Sequence, residues 1–144
     1  MRSKAPLVLI EQMVMLLVFA LAAALCLQAF VLSDQRSHRS EARDFAASAA
    51  QSAAETVRSC GGGVQDAFAA AAGLLDGSVE DGVLVVEYDE DWQPAADGVY
   101  LLTATDAPSG QPGLASAEVL VSEKNGGEPL FAVTVAWQEV GGNG

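Results

Sequence analysis

Residues 7–32 read LVLIEQMVMLLVFALAAALCLQAFVL and are polar at only three places, Glu11, Gln12 and Gln28. At about 1.5 Å per residue these 26 positions make a helix of roughly 39 Å, enough to cross a hydrocarbon core of about 30 Å with some tilt or overhang. No later stretch approaches 18 apolar residues in a row, so the sequence predicts a single crossing. Glu11 lies inside the run, about one turn from its start. A carboxylate there costs about 2 to 3 kcal/mol near the bilayer centre and less toward the interface, so it should be paired, protonated or snorkelling.

A secretory signal peptide is the competing reading of this end, with Arg2 and Lys4 as its basic region. The apolar run is too long for a usual signal core, and Leu27-Gln28-Ala29 is a poor cleavage site. The tripeptide before Cys26 is Ala-Ala-Leu, without the small residue that should precede a lipidated cysteine. A retained span is therefore the expectation.

Charge divides the chain. Residues 1–59 hold six Lys/Arg against five Asp/Glu, whereas residues 60–144 hold one lysine, Lys124, against fourteen acids. Such a distal domain repels nucleic acid and anionic lipid, so no direct nucleic-acid binding is expected. Solubility accounts for the acidic excess more simply than calcium or a basic partner. Arg2 and Lys4 precede the span with no acid beside them, which places the N-terminus in the cytoplasm and the acidic domain outside it. Cys26 and Cys60 would stand about 50 Å apart on one helix and cannot bond to each other.

Taken in order, residues 1–6 form a basic leader, with Pro6 tolerated in the first helical turn. Residues 33–60 continue the helix as an amphipathic segment free of Gly and Pro until Gly61. Ala42, Phe45, Ala46, Ala49, Ala53, Val57 and Cys60 make a smooth stripe at helical spacing, suited to packing against a sheet or a neighbouring helix. Gly61-Gly62-Gly63 ends the rod. It follows a helix and lacks the lysine and hydroxyl of a phosphate-binding loop. Residues 61–140 form the acidic extracytoplasmic domain, with a helix over 64–75 stopped by Asp76-Gly77-Ser78. Four strands follow at about 83–88, 99–105, 115–122 and 130–139, the last two joined by a hairpin turn centred on Asn125-Gly126. Residues 141–144 are a flexible tail. The fold class is α+β: a long N-terminal transmembrane and amphipathic helix, a short second helix, and a small four-stranded antiparallel sheet packed on the helix.

A basic leader, an apolar helix with glutamate at its fifth position, an amphipathic continuation and a small antiparallel sheet together resemble the type IV pilin and pseudopilin family. Leu7-Val8-Leu9-Ile10-Glu11 is similar to the start of the family's mature chain. The resemblance is specific over about 25 residues and architectural beyond them. It implies a prepilin peptidase cut between Pro6 and Leu7, methylation of the new terminus, and pairing of Glu11 with the terminal amine of an adjacent subunit in a helical filament. It also implies a non-enzymatic role and no cofactor. The chain departs from the family at Pro6, where glycine is usual. With the leader retained, Lys4, seven residues earlier on the same helical face, or a neighbour's leader would balance Glu11, which fits a minor or divergent subunit. Independently of the family, an ionisable residue inside a span is a functional candidate, and a charge pair between subunits would set one axial register. The bland alternative is a glutamate that snorkels to water.

Other chemistry is sparse. His38 has no second histidine or cysteine at ligand spacing and is read as solvated. With no histidine in the distal domain, a Ser-His-acid arrangement is excluded there. Asp89, Glu90 and Asp91 could coordinate calcium, as some pseudopilins do in that part of the fold. Their spacing does not match a helix-loop-helix calcium loop, and a solvated acidic loop is the preferred reading. Trp92 beside them is a surface contact or a lid on the sheet. The expectation is thus a non-enzymatic membrane subunit that assembles with other pilin-like subunits or copies of itself and has no small-molecule substrate. The alternative is an unprocessed single-span anchor carrying an extracytoplasmic binding module.

Overall fold

The computed structural model describes residues 4–140; Arg2 of the leader and the tail at 141–144 lie outside the described residues. Helix α1 runs Ala5–Cys60, with Pro6 in its first turn and no further Pro or Gly to break it. Gly61, at φ 65°, is the left-handed residue that ends it. The chain divides into two compact units, Met1–Ser40 and Glu41–Gly144, and α1 contributes to both.

In the first unit every described residue is exposed, including Leu16, Phe19 and Phe30. Among the described residues α1 is the one helix long and apolar enough to cross a membrane. Water is a poor solvent for such a surface, and hydrocarbon is a good one.

The second unit contains the end of α1, helix α2 (Val64–Leu74) and strands β1 (Ser78–Glu80), β2 (Val83–Tyr88), β3 (Tyr100–Asp106), β4 (Leu114–Glu123) and β5 (Pro129–Gln138). The strands form one antiparallel meander in the order β1-β2-β3-β4-β5. The sheet thus has five strands where the sequence reading gave four. The added strand, β1, pairs with β2 across Asp81-Gly82, whose φ angles of 50° and 79° suit a two-residue hairpin of type I′. Helix α2 stops one residue before its expected end. Asp76 takes the left-handed position at φ 55°, and the Gly77 N–H donates to the Ala72 carbonyl, 2.9 Å away.

Register builds the core in rows. Leu84, Ala104, Val119 and Val133 lie side by side across β2 to β5, and Val86, Leu102, Val121 and Phe131 form the next row. These rows join Ala46, Ala50, Ala53, Ala54 and Val57 of α1 and Ala67, Phe68, Ala71 and Ala72 of α2 in one hydrophobic cluster. The buried face of α1 is rotated from the expected stripe: Ala50 and Ala54 are buried, while Phe45 is half exposed. Alanine occurs on every side of this stretch, so the sequence offers little contrast from which to fix the rotation.

The expected hairpin between β4 and β5 is present, and Asn125-Gly126 lies midway between its last paired residues, Ser122 and Pro129, but the loop's β-turn starts earlier and is not a type I′ turn on Asn-Gly. The Gly126 N–H donates to the Glu123 carbonyl at 3.1 Å, so Lys124 and Asn125 occupy the turn's middle, and neither Asn125 nor Gly126 has a positive φ. Lys124 fixes this placement: its N–H donates to the Val99 carbonyl, 2.8 Å away, and its ammonium reaches β2.

Candidate functional site

The candidate assembly residue, Glu11, is exposed on α1 and, among the described residues, forms no ion pair, with Lys4 or otherwise. The candidate processing residues, Pro6 and Leu7, sit in the first turn of the same helix. There the Val8 N–H donates to the Lys4 carbonyl at 3.3 Å. Farther along α1, His38 Nε2 lies 3.6 Å from Asp34 Oδ2, one turn earlier, with both side chains well exposed. Cys26 and Cys60 are free thiols.

The acidic loop is organised around its own backbone. Asp89 Oδ1 accepts the N–H groups of Asp91 and Gln93, each at 2.9 Å. The main chains of Asp89 and Gln93 also bond, and the Trp92 N–H donates to the Asp89 carbonyl. This short polar side chain closes the turn, as Asp commonly does. Asp89, Glu90 and Asp91 are adjacent in sequence but do not converge. Among the described residues, no group of three or more His, Cys, Asp or Glu side chains could hold one metal ion.

The turn forces Trp92 to φ 58°, an uncommon conformation for a bulky residue. Its ring stacks on Tyr100 at 4.1 Å between centroids, with Tyr88 at 6.0 Å and Phe45 of α1 at 6.1 Å. Of the two roles expected for Trp92, the lid is the one this packing shows. Burial raises the Tyr88 phenol above its ordinary pKa. Tyr100 is raised first by burial and then by the Glu123 and Glu90 carboxylates.

Behind the aromatic lid lies a charge node absent from the sequence reading. Glu87 Oε2 accepts the Gly98 N–H at 2.9 Å and a bond from Lys124 Nζ at 3.1 Å, while the same ammonium reaches Asp97 Oδ1 at 3.1 Å. The Gly98 bond, then Lys124, lowers the Glu87 carboxyl below its ordinary range. Glu87, then Asp97, raises the Lys124 ammonium. The available signal was the solitude of Lys124 among fourteen acids in residues 60–144, since a lone cation in such company finds carboxylates. Gly98 is required here because a Cβ would collide with the Tyr88 backbone.

At the start of α2 a cleft of about 360 Å³ is lined in part by Asp66, Asp106, Ser116 and Glu139. The Ser116 hydroxyl donates to the Ala107 carbonyl, and among the described residues no buried side-chain polar atom lacks a partner. Nearby, Trp137 Nε1–H donates to the Gly62 carbonyl at 2.9 Å and ties the glycine connection to β5. No family model, curated protein or solved structure matches the chain.

Proposed function

We propose that this chain is a non-enzymatic, pilin-like or pseudopilin-like membrane subunit. It assembles through its N-terminal helix into an envelope filament or a machine of the type II secretion, type IV pilus or competence kind. The N-terminus lies in the cytoplasm and the acidic unit outside it. One observation carries the reading: α1 is unbroken from Ala5 to Cys60, wholly exposed over its apolar first part, and bears an exposed carboxylate at Glu11. Exposed apolar surface over such a length requires lipid or other helices as its surroundings. A glutamate within it calls for a counter-charge, a proton or reach to the water interface, and a basic group on an adjacent subunit supplies the first while fixing axial register. The lipid-facing residues provide packing, and the charge pair selects among packings.

Glu11→Ala tests this directly. The variant should be expressed and inserted into the membrane at the native level but fail to enter assemblies isolated by shearing or by crosslinking. Normal incorporation would sink the proposal. Intact mass and N-terminal sequencing of the membrane-purified chain then separate two forms: a start at Leu7 makes the new amine the partner of Glu11, and a retained leader assigns that role to Lys4 or to a neighbour's leader.

A further inference from the structure

β5 ends the sheet, and no loop or helix makes a main-chain hydrogen bond to its residues among the described residues. The two edges of the sheet are built differently. β1 has three residues, includes Glu80 and is followed by Asp81, so it is short and charged in the manner that stops a sheet from growing. β5 has ten residues, reads PLFAVTVAWQ and carries no charge. It is roughly 34 Å long, and half of its main-chain groups point away from β4. Its core-facing side chains are also incompletely covered. Phe131, Val133 and Val135 are half-buried, whereas Val121, Val119 and Ala117, their partners on β4, are fully buried.

The sequence of β5 is nearly the same in both directions about Thr134. Val133 mirrors Val135, Ala132 mirrors Ala136, and Phe131 mirrors Trp137. We propose that β5 pairs with β5 of a second copy of this chain, antiparallel about a twofold axis at Thr134, joining two five-stranded sheets into one of ten strands. In that register Thr134 faces its own counterpart, alanine faces alanine on the outer surface, and valine faces valine on the core side. The Thr–Thr pair is a favourable cross-strand pair, the valines bury apolar surface against each other, and the small alanines leave room for close approach. Because mirrored positions have the same parity, both core-facing rows fall on one side of the joined sheet, and each copy covers the other's half-buried row.

The chain has a net charge of −12, and the proposed register brings like charges together only at the two ends of the seam, where Glu139 of one copy, opposite Pro129 of the other, stands beside that copy's Glu128. Between those ends β5 is uncharged, and the acids nearest the axis on β4 are the two copies of Glu118, which pairs with Thr134. They stand three strand spacings apart, about 14 Å, beyond a screening length of about 8 Å at physiological salt. Nine residues, Leu130 to Gln138, paired with nine form on the order of eight to ten main-chain hydrogen bonds, within the number a typical stable interface carries. A closed twofold pair does not propagate, so this contact is separate from assembly through α1 and stands whether or not the proposed function does.

The test uses the full chain in detergent with Cys26 and Cys60 replaced by serine. Thr134→Cys places two thiols across the axis at a Cα separation of about 4.5 to 5.5 Å, within disulfide range. Under a mild added oxidant most of the protein should become a species of twice the chain mass, while Ser78→Cys at the β1 edge should not. A monomeric Thr134→Cys sample, equal crosslinking from Ser78→Cys, or an adduct with a different polypeptide would each overturn the proposal. Thr134→Lys gives a second measurement that does not depend on the thiols. Its ammonium sits beside Glu118 within its own sheet but meets a like charge across the axis, so sedimentation should show at least a tenfold loss of dimer. Mixing it with Thr134→Glu should restore the pair; undiminished dimer in Thr134→Lys, or no restoration on mixing, also defeats the idea.

Discussion

Glu87 is held by two donors of different kinds, and this makes the acidic unit sensitive to acid. The Gly98 N–H and the Lys124 ammonium both favour its ionised form. Its pKa in the folded chain is therefore below the unfolded value. A carboxyl depressed in this way adds stability that is complete above the unfolded pKa and is lost as pH falls through the folded one. The native chain should thus lose stability as pH falls from about 5 to about 3, the range in which carboxylates protonate. Glu87→Gln should be the less stable variant at pH 7 and should show a flatter dependence over that range, because it has no proton to gain at this position. Urea unfolding at several pH values measures both effects. Parallel pH profiles for the two proteins would show that the node contributes nothing.

At the scale of elements, α2 contributes its apolar face through Phe68, which is fully buried with Ala67 and Ala71 beside it. A helix of 11 residues is too short to be stable in water alone, so it persists because that face is covered. Phe68→Ala should cost about 3 to 5 kcal/mol, a large share of the roughly 5 to 15 kcal/mol that holds a domain folded. Chemical denaturation would check it; a loss below about 1 kcal/mol would mean that the site collapses around the missing ring or that α2 is not part of the core. The elements that were legible in the sequence were those with contrast. Strand β2 is where alternation placed it, and both helices end near the glycines and the Asp-Gly pair that mark their stops. What was missed had weak or misleading local signals. Strand β1 is too short to alternate, although Asp81-Gly82 did carry a hairpin signal. Asn125-Gly126 did mark the middle of the β4–β5 hairpin, but not its turn type: the β-turn spans Glu123 to Gly126, and Lys124 within it is held by Val99, Glu87 and Asp97 from outside the hairpin. Glu11 and the acidic loop were legible as residues. The partners of Lys124 were not, since Glu87 lies 37 positions away and only the sheet brings it near.

For the whole molecule, the division at Ser40 and Glu41 separates two kinds of surface. Residues 41–144 hold 17 acids against three bases and enclose their own core, whereas the unit before them buries none of its described residues. The core residues named in α1 begin at Ala46, so a fragment starting at Glu41 keeps all of them together with both β-sheet rows and α2. It also begins with an acid at a helix N-terminus, where the dipole favours negative charge. We expect that fragment to be soluble without detergent and to unfold in one cooperative transition, and its high net charge should keep it from aggregating. The full chain should require detergent or lipid, because its exposed apolar helix far exceeds the patch that a soluble monomer tolerates. Circular dichroism during heating, with sedimentation to count chains, checks both halves of the prediction. A fragment that melts without cooperativity would mean that the first part of α1 is needed for the fold. A full chain that stays dispersed in buffer alone would mean that its apolar surface is already covered by protein.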